Sequence, residues 1–311
     1  MSQPSTLFIL NPAAGHGRAA RAWDSLKEEA FRLLPGSGCA ATERPGHAAQ
    51  LARAAMEAGT TRLIAVGGDG TFCETLEGVM GAPEHLRRGI TLGAVPAGSG
   101  CDLARHLGYP AGRGALLELL ARGRPRPLDV GRVSYRGEDG APRVRHFINI
   151  AAFGLAGDVA HRVHQLGKPL GGTLSYAAAS VLALLGARAS ALRLKADGKE
   201  ISGPYHLGVL ANTSSMGGGM LIAPGAVDDD GLMDLVLVGG MSRLALAANL
   251  PRLYKGTHLS SPGVTITRLR RLEAESDETV YLNIDGEADG MLPAVFEVLP
   301  RAVSVIAPAR S

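Results

Sequence analysis

Three times within its first 107 residues this chain runs a short apolar segment into a glycine-rich turn and on into a helix. Leu7-Phe8-Ile9-Leu10 leads into Asn11-Pro12-Ala13-Ala14-Gly15-His16-Gly17, and the stretch that follows keeps helical spacing at Ala19, Trp23, Leu26, Ala30 and Leu33. Leu63-Ile64-Ala65-Val66 leads into Gly67-Gly68-Asp69-Gly70-Thr71 and an amphipathic stretch over 72–80. Thr91-Leu92-Gly93-Ala94-Val95 leads into Pro96-Ala97-Gly98-Ser99-Gly100-Cys101-Asp102 and a short helix over 103–107. Repetition of this kind predicts an α/β domain with a parallel sheet, in which all such turns lie along the carboxyl edge of the strands, where ligands bind.

The middle turn carries the most chemistry. Its glycines can take positive φ and let backbone N–H groups approach an anion closely, and a helix begins with its positive end facing the same place. Asp69 is the odd member, because a carboxylate repels phosphate oxygens unless a divalent cation or a proton intervenes. The turn therefore predicts a nucleotide carried with magnesium. Each turn taken singly also reads as an ordinary tight turn, and Asp102 also reads as the N-cap of its helix. The argument for a ligand is the coincidence of three turns on one edge.

With 311 residues, 46% of them apolar, the chain has material for two domains. Strands near Leu7, Cys39, Leu63 and Leu92 alternate with helices near Trp23, Ala49, Leu76 and Leu117, which predicts a doubly wound parallel sheet over 1–127. After an Arg/Pro-rich segment at 122–127, read as a solvated linker, the texture changes to hairpins, including the Asp197-Gly198 turn. A mainly antiparallel second domain is expected over 128–291, with 292–311 returning to the first. A net charge of +3 without any basic block argues against nucleic acid as a partner. Cys39, Cys73 and Cys101 show neither paired nor metal-ligand spacing, no signal peptide opens the chain, and a cytoplasmic protein is expected. The alanine-rich stretch over 173–185 is too short to span a bilayer. The region 163–185 reads either as core or as a peripheral contact with the inner membrane face. Cys73 and Cys101, both at helix starts, read either as activated thiols or as small buried hydrophobes.

These turns, together with Asn149-Ile150-Ala151-Ala152-Phe153-Gly154, Gly217-Gly218-Gly219-Met220-Leu221-Ile222-Ala223-Pro224, Asp229-Asp230-Gly231-Leu232-Met233-Asp234 and Ile284-Asp285-Gly286-Glu287, resemble the diacylglycerol kinase and sphingosine kinase family of lipid kinases in its soluble bacterial form. The resemblance covers nearly the whole chain. It implies an NAD kinase-like α/β nucleotide-binding domain followed by a β-sandwich domain, ATP held in the cleft between them, and transfer of the γ-phosphate to a lipid hydroxyl, as in diacylglycerol or a sphingoid base. It implies that ATP is held by Asn11, Pro12, Ala13, Ala14, Gly15, Thr42, Gly67, Gly68, Asp69, Gly70, Thr71, Glu74, Ser99 and Asp102. Ser99 stands where the family usually has threonine, and Cys73 and Cys101 stand where asparagine is common. Glu287 matches the family's proton acceptor, with Asp285 beside it and Asp69 completing the catalytic carboxylates. Asp230 with the main-chain carbonyls of Val227 and Leu232 matches a structural magnesium site, an oxygen-only set that suits a hard cation. Read from the residues alone, Asp285-Gly286 is also a hairpin turn and Asp229-Asp230 also a solvated one. A homodimer through an edge strand is compatible with the sequence.

Rival readings leave traces that can be sought. A kinase of a soluble substrate of the NAD kinase type shares the Gly-Gly-Asp-Gly turn, but its Asn-Asp pair is missing here. No Gly-Lys-Ser or Gly-Lys-Thr occurs, and no Gly-x-Gly-x-x-Gly follows the first strand, which argues against Walker-type nucleotide binding and a Rossmann dehydrogenase. A non-catalytic regulator has no need of Asp69, Asp285 and Glu287 together.

Overall fold

A computed structural model describes residues 5–98, 100–137, 139–166 and 186–309. The chain divides into two compact units, one made of residues up to Leu128 together with those from Arg301 onward, the other of Asp129–Pro300.

The first unit runs β1 (Thr6–Leu10), α1 (Ala14–Asp24), α2 (Lys27–Leu33), β2 (Gly38–Ala41), α3 (His47–Glu57), β3 (Arg62–Gly67), α4 (Asp69–Met80), α5 (Glu84–Arg87), β4 (Thr91–Pro96), α6 (Asp102–His106) and α7 (Arg113–Arg122). Its strands pair in parallel in the order β4-β3-β1-β2, and Ser304 and Val305 add a further parallel strand beside β4. β3 sits in the middle and is buried on both faces from Leu63 to Gly67, which is why its sequence is continuously apolar rather than alternating. One side of the sheet is filled by Phe8, Trp23, Ile64, Val66, Leu117, Leu120 and Ile306, with the Phe8 and Trp23 rings 4.6 Å apart.

The second unit begins within β5 (Pro125–Arg136) and continues through β6 (Pro142–Phe147), β7 (Ile150–Gly154), α8 (Leu155–Leu166), β8 (Ser190–Ala196), β9 (Lys199–Ala211), β10 (Met233–Gly239), α9 (Arg243–Lys255), a 3-10 turn (Thr257–Ser260), β11 (Val264–Leu269), β12 (Arg271–Ser276), β13 (Tyr281–Ile284) and β14 (Glu287–Ile306). It is an antiparallel β-sandwich. Two long strands serve two sheets each: β9 pairs β8 with its first half and β7 and β10 with its second, and β14 pairs β13 and then β12. Between the layers lie Phe147, Phe153, Leu272, Leu282 and Phe296, all fully buried.

Two organisational expectations need correction. The Arg/Pro-rich segment is exposed or half-buried over 122–127, as a solvated segment should be, but it is not irregular throughout, since β5 already starts at Pro125. The return to the first unit begins at Arg301 rather than at 292, because residues 294–297 are held in the sandwich by pairing with β12. The stretch over 167–185, with the membrane contact read there, lies outside the described residues.

Candidate active site

In the first unit Asn11, Thr42, Gly67 and Ala97 each follow directly on a strand end or close one, so all the expected nucleotide turns stand on the carboxyl edge of one parallel sheet. The turns lock into each other through backbone. Asn11 N–H donates to the Val66 carbonyl (3.0 Å) and Ala97 N–H to that of Gly67 (2.7 Å). A Cβ placed on Gly98 would stand 2.3 Å from Gly68 Cα, and one on Gly15 would stand 2.5 Å from the Ala97 carbonyl oxygen. In the middle turn close approach is what calls for glycine at Gly67, whose Cβ would stand 2.3 Å from Thr71 Oγ1, and at Gly68, whose Cβ would stand 3.1 Å from Gly98 Cα. Neither they nor Gly70 lie in the left-handed region, unlike Gly15 at +59°. A side chain on Gly70 would meet open space, so the first turn of α4 stays accessible from that side.

Side chains complete the lock. Arg18, which sequence reasoning missed, donates from Nε to the Gly15 carbonyl and from Nη2 to that of Gly98, both at 3.1 Å, tying the first turn to the third. Asn11 Oδ1 accepts from Ala13 N–H (3.1 Å) and so shapes Pro12, Ala13 and Ala14 into a turn. Thr42 N–H donates to the Leu10 carbonyl (2.8 Å), which carries the β1–β2 pairing one residue beyond the strand. Glu74 turns the other way: its Oε2 accepts from Ala48 N–H (3.3 Å) at the start of α3. Thr71 is buried beneath Gly67. Ser99 lies outside the described residues.

Asp69 resolves its conflict with phosphate in a way the sequence did not suggest. Its Oδ2 accepts from Asp102 N–H (2.9 Å) and its Oδ1 from Leu103 N–H (3.2 Å), so it caps α6 from 33 residues away. The reading of Asp102 as that helix's own cap is thereby corrected, since Cys101 holds the cap position without a side-chain bond and Asp102 is buried against Arg105. Burial pushes the Asp69 carboxyl above its ordinary value, the Asp102 charge adds to this, and the two amides oppose it. The activated-thiol reading of the cysteines does not hold either. Burial and the Asp69 charge push the Cys101 thiol up, and Cys73 is buried.

In the second unit the residues around Asp285 form a separate constellation. Asp285, at φ +48°, turns the chain from β13 to β14 and directs its carboxylate at three successive amides: Ile148 N–H on Oδ2 (2.7 Å), Asn149 and Ile150 N–H on Oδ1 (3.0 and 2.9 Å). Both oxygens thus accept from backbone, so Asp285 acts as a latch that fixes the turn. Glu287, two residues on, is exposed, and its Oε2 meets Arg145 Nη2 at 3.1 Å. Arg145 in turn reaches Asp289 Oδ2 (3.1 Å), whose other oxygen takes Arg143 Nη1 (2.9 Å). The alternation Arg143-x-Arg145 on β6 was the available signal for this pair, since residues two apart share a strand face.

In the expected magnesium loop of Val227, Asp230 and Leu232 the one carboxylate is engaged by protein partners. Asp230 Oδ1 accepts from Leu232 N–H (3.0 Å), and its Oδ2 faces Arg268 Nη1 at 3.3 Å. Arg268 also donates to the Gly225 carbonyl (3.1 Å) and stands 3.5 Å from Asp234, so a guanidinium already supplies the positive charge of this loop. Buried Asp129, also missed, accepts from Gly231 N–H (2.6 Å) and holds the loop from below; an acid within the run 127–131 was its signal. Among the described residues no group of three or more His, Cys, Asp and Glu is disposed to hold a metal.

Comparison with known proteins adds an independent observation. Residues 5–133 match the diacylglycerol kinase catalytic domain, and residues 149–307 match the YegS C-terminal NAD kinase beta sandwich-like domain. A protein named diacylglycerol kinase from Mycobacterium tuberculosis (strain CDC 1551 / Oshkosh) is 31% identical over 306 residues, covering 96% of this chain and 94% of that one. Another of that name from Staphylococcus aureus (strain MRSA252) is 29% identical, with 97% and 91% covered. A crystal structure from Bacillus anthracis str. Sterne shares the fold with a TM-score of 0.77 at 21% identity, over 98% of this chain and 97% of that one. Yeast NADH kinase complexed with NADH shares it at 0.51 and 12%, over 99% and 84%.

Proposed function

Because this chain belongs to the diacylglycerol kinase family, we propose that it is an ATP-dependent lipid kinase that passes the γ-phosphate to the hydroxyl of a membrane lipid such as diacylglycerol or a sphingoid base. The observation that carries this reading is the mutual lock of the three glycine turns, with Gly15, Gly67 and Gly98 each admitting no side chain without displacement of a neighbour. Backbone N–H groups and the start of α4 would receive the phosphates there. Magnesium is proposed as the companion of ATP, neutralising the phosphate oxygens, and no ion is assigned to the Asp230 loop.

Phosphoryl transfer asks little of a protein beyond alignment, charge neutralisation and a base near the attacking hydroxyl. Glu287 is the carboxylate proposed as that base, because it is exposed and rigidly founded on the Asp285 latch, whereas Asp69 and Asp285 are spent on amides. In the step, the lipid hydroxyl oxygen bonds the γ-phosphorus, its proton passes to Glu287, and the bond to the β-phosphate oxygen breaks to release ADP. The lipid would be reached from the cytoplasmic side of a membrane, and among the described residues no helix is long and apolar enough to cross one. Incubating the purified chain with γ-labelled ATP, magnesium and a total lipid extract should give a labelled lipid, and Glu287→Gln should lower its rate by about 100-fold. Absence of any labelled lipid would overturn the assignment.

A further inference from the structure

Helix α9 presents to solvent an apolar face that the kinase reading does not use. Ser242 caps it by accepting Ala245 N–H (3.2 Å), and Gly256 ends it in the left-handed conformation. Its inner face is committed: Leu246 packs with Ala187 and Val238, Leu253 packs on the cluster around Ile222, and Asn249 accepts from Ser261. On the other side Leu244 is followed three, four, seven and ten residues on by Ala247, Ala248, Pro251 and Tyr254, which form one stripe with it. Leu244 is 84% exposed and Tyr254 58%, with Leu250 at the border of the stripe. Half of the large exposed apolar side chains among the described residues lie on this one helix, which is concentration rather than scatter.

The charges on α9 itself are of one sign: Arg243, Arg252 and Lys255, with no Asp or Glu among its residues. Arg243 opens the helix and Lys255 closes it. In an antiparallel contact with a second copy, the cation at one end would meet the cation at the other, with no acid on either helix to offset them. An anionic bilayer has the opposite preference: it takes apolar side chains at the level of the head groups and draws the flanking cations to its phosphates.

We propose that α9 lies in the plane of an anionic membrane surface and docks the protein there. This deepens the lipid-kinase reading and rests on it for the presence of a bilayer in the reaction. The test is sedimentation of the full chain with vesicles of phosphatidylcholine alone and of phosphatidylcholine with phosphatidylglycerol. The parent should bind the anionic vesicles preferentially and less well as salt rises. Leu244→Asp with Tyr254→Asp should weaken that binding by about tenfold or more while leaving the melting temperature and the activity on detergent-dispersed lipid unchanged. Lys255→Glu should reduce the preference for phosphatidylglycerol. Should the double Asp variant unfold, Leu244→Ser with Tyr254→Ser replaces it. Variants that sediment like the parent would overturn the proposal and leave the kinase reading standing, as would variants whose only change is from dimer to monomer. A parent that docks through α9 but phosphorylates no lipid would instead overturn the kinase reading and leave the docking.

Discussion

The glycine edge of the first unit and the Asp285 corner of the second position their groups by opposite means. At the glycine edge three backbone segments come into direct contact, with Gly98 so close to Gly68 that a Cβ on Gly98 would collide with the Gly68 Cα. At the Asp285 corner the segments stand a carboxylate apart, and the Asp285 side chain fills the gap with three hydrogen bonds. The first arrangement sets the start of α4 on the strand edge with open space beside Gly70. The second leaves an acidic side chain, Glu287, exposed and paired with Arg145 beside a fixed turn.

Breaking the corner should have the largest effect. Asp285→Ala leaves three amides without their acceptor and is expected to cost about 3–5 kcal/mol of stability, read by urea denaturation. A variant as stable as the parent would show that the carboxylate is not a latch. Glu287→Gln sits two residues away and should behave in the contrary manner, with turnover down about 100-fold, a change of ~2.7 kcal/mol, and neither melting temperature nor ATP binding altered. The glycine edge is probed by Gly98→Ala, whose new methyl must push the Gly68 turn aside. A loss of about 1–3 kcal/mol is expected, with ATP binding weakened more than in Glu287→Gln; equal ATP affinity in the two would erase the distinction between edge and corner. The smallest effect belongs to Arg268→Ala, on a partly exposed ion pair worth about 1 kcal/mol or less. Its melting temperature should become responsive to magnesium, while the parent's should not, because the substitution removes the guanidinium that Asp230 faces.

The sequence made the glycine edge legible because the requirement there is local: strand, turn and helix follow one another in the chain, and the residues that must be glycine are glycine. The same holds for the parallel sheet and for the antiparallel texture of the second unit. Carboxylate roles were not legible, since they depend on partners far away in the chain. Asp69 meets Asp102 and Leu103, and Asp285 meets residues 135 to 137 positions earlier. Nothing in Gly-Gly-Asp-Gly tells whether its aspartate faces a cation or a helix end. The same limit applies to Asp230, whose charge is met by Arg268 from another strand. For Cys101 the helix start visible in the sequence was outweighed by burial and by the neighbouring Asp69 charge, which only the fold brings close.

The division of the chain has a consequence for biosynthesis. The strand formed by residues 301–306 lies beside β4, buries Ile306 completely and offers the Ile306 carbonyl to the Tyr109 hydroxyl at 2.5 Å. It is translated after the entire second unit. The first unit, although most of it is encoded first, must wait on the ribosome with an open sheet edge beside β4 until the sandwich has emerged, and its closure brings together segments very distant in the chain. A nascent chain stalled before Arg301 therefore has every glycine of its three turns and an unfinished sheet beneath them, so the edge those turns form should become firm only once residues 301–306 have emerged.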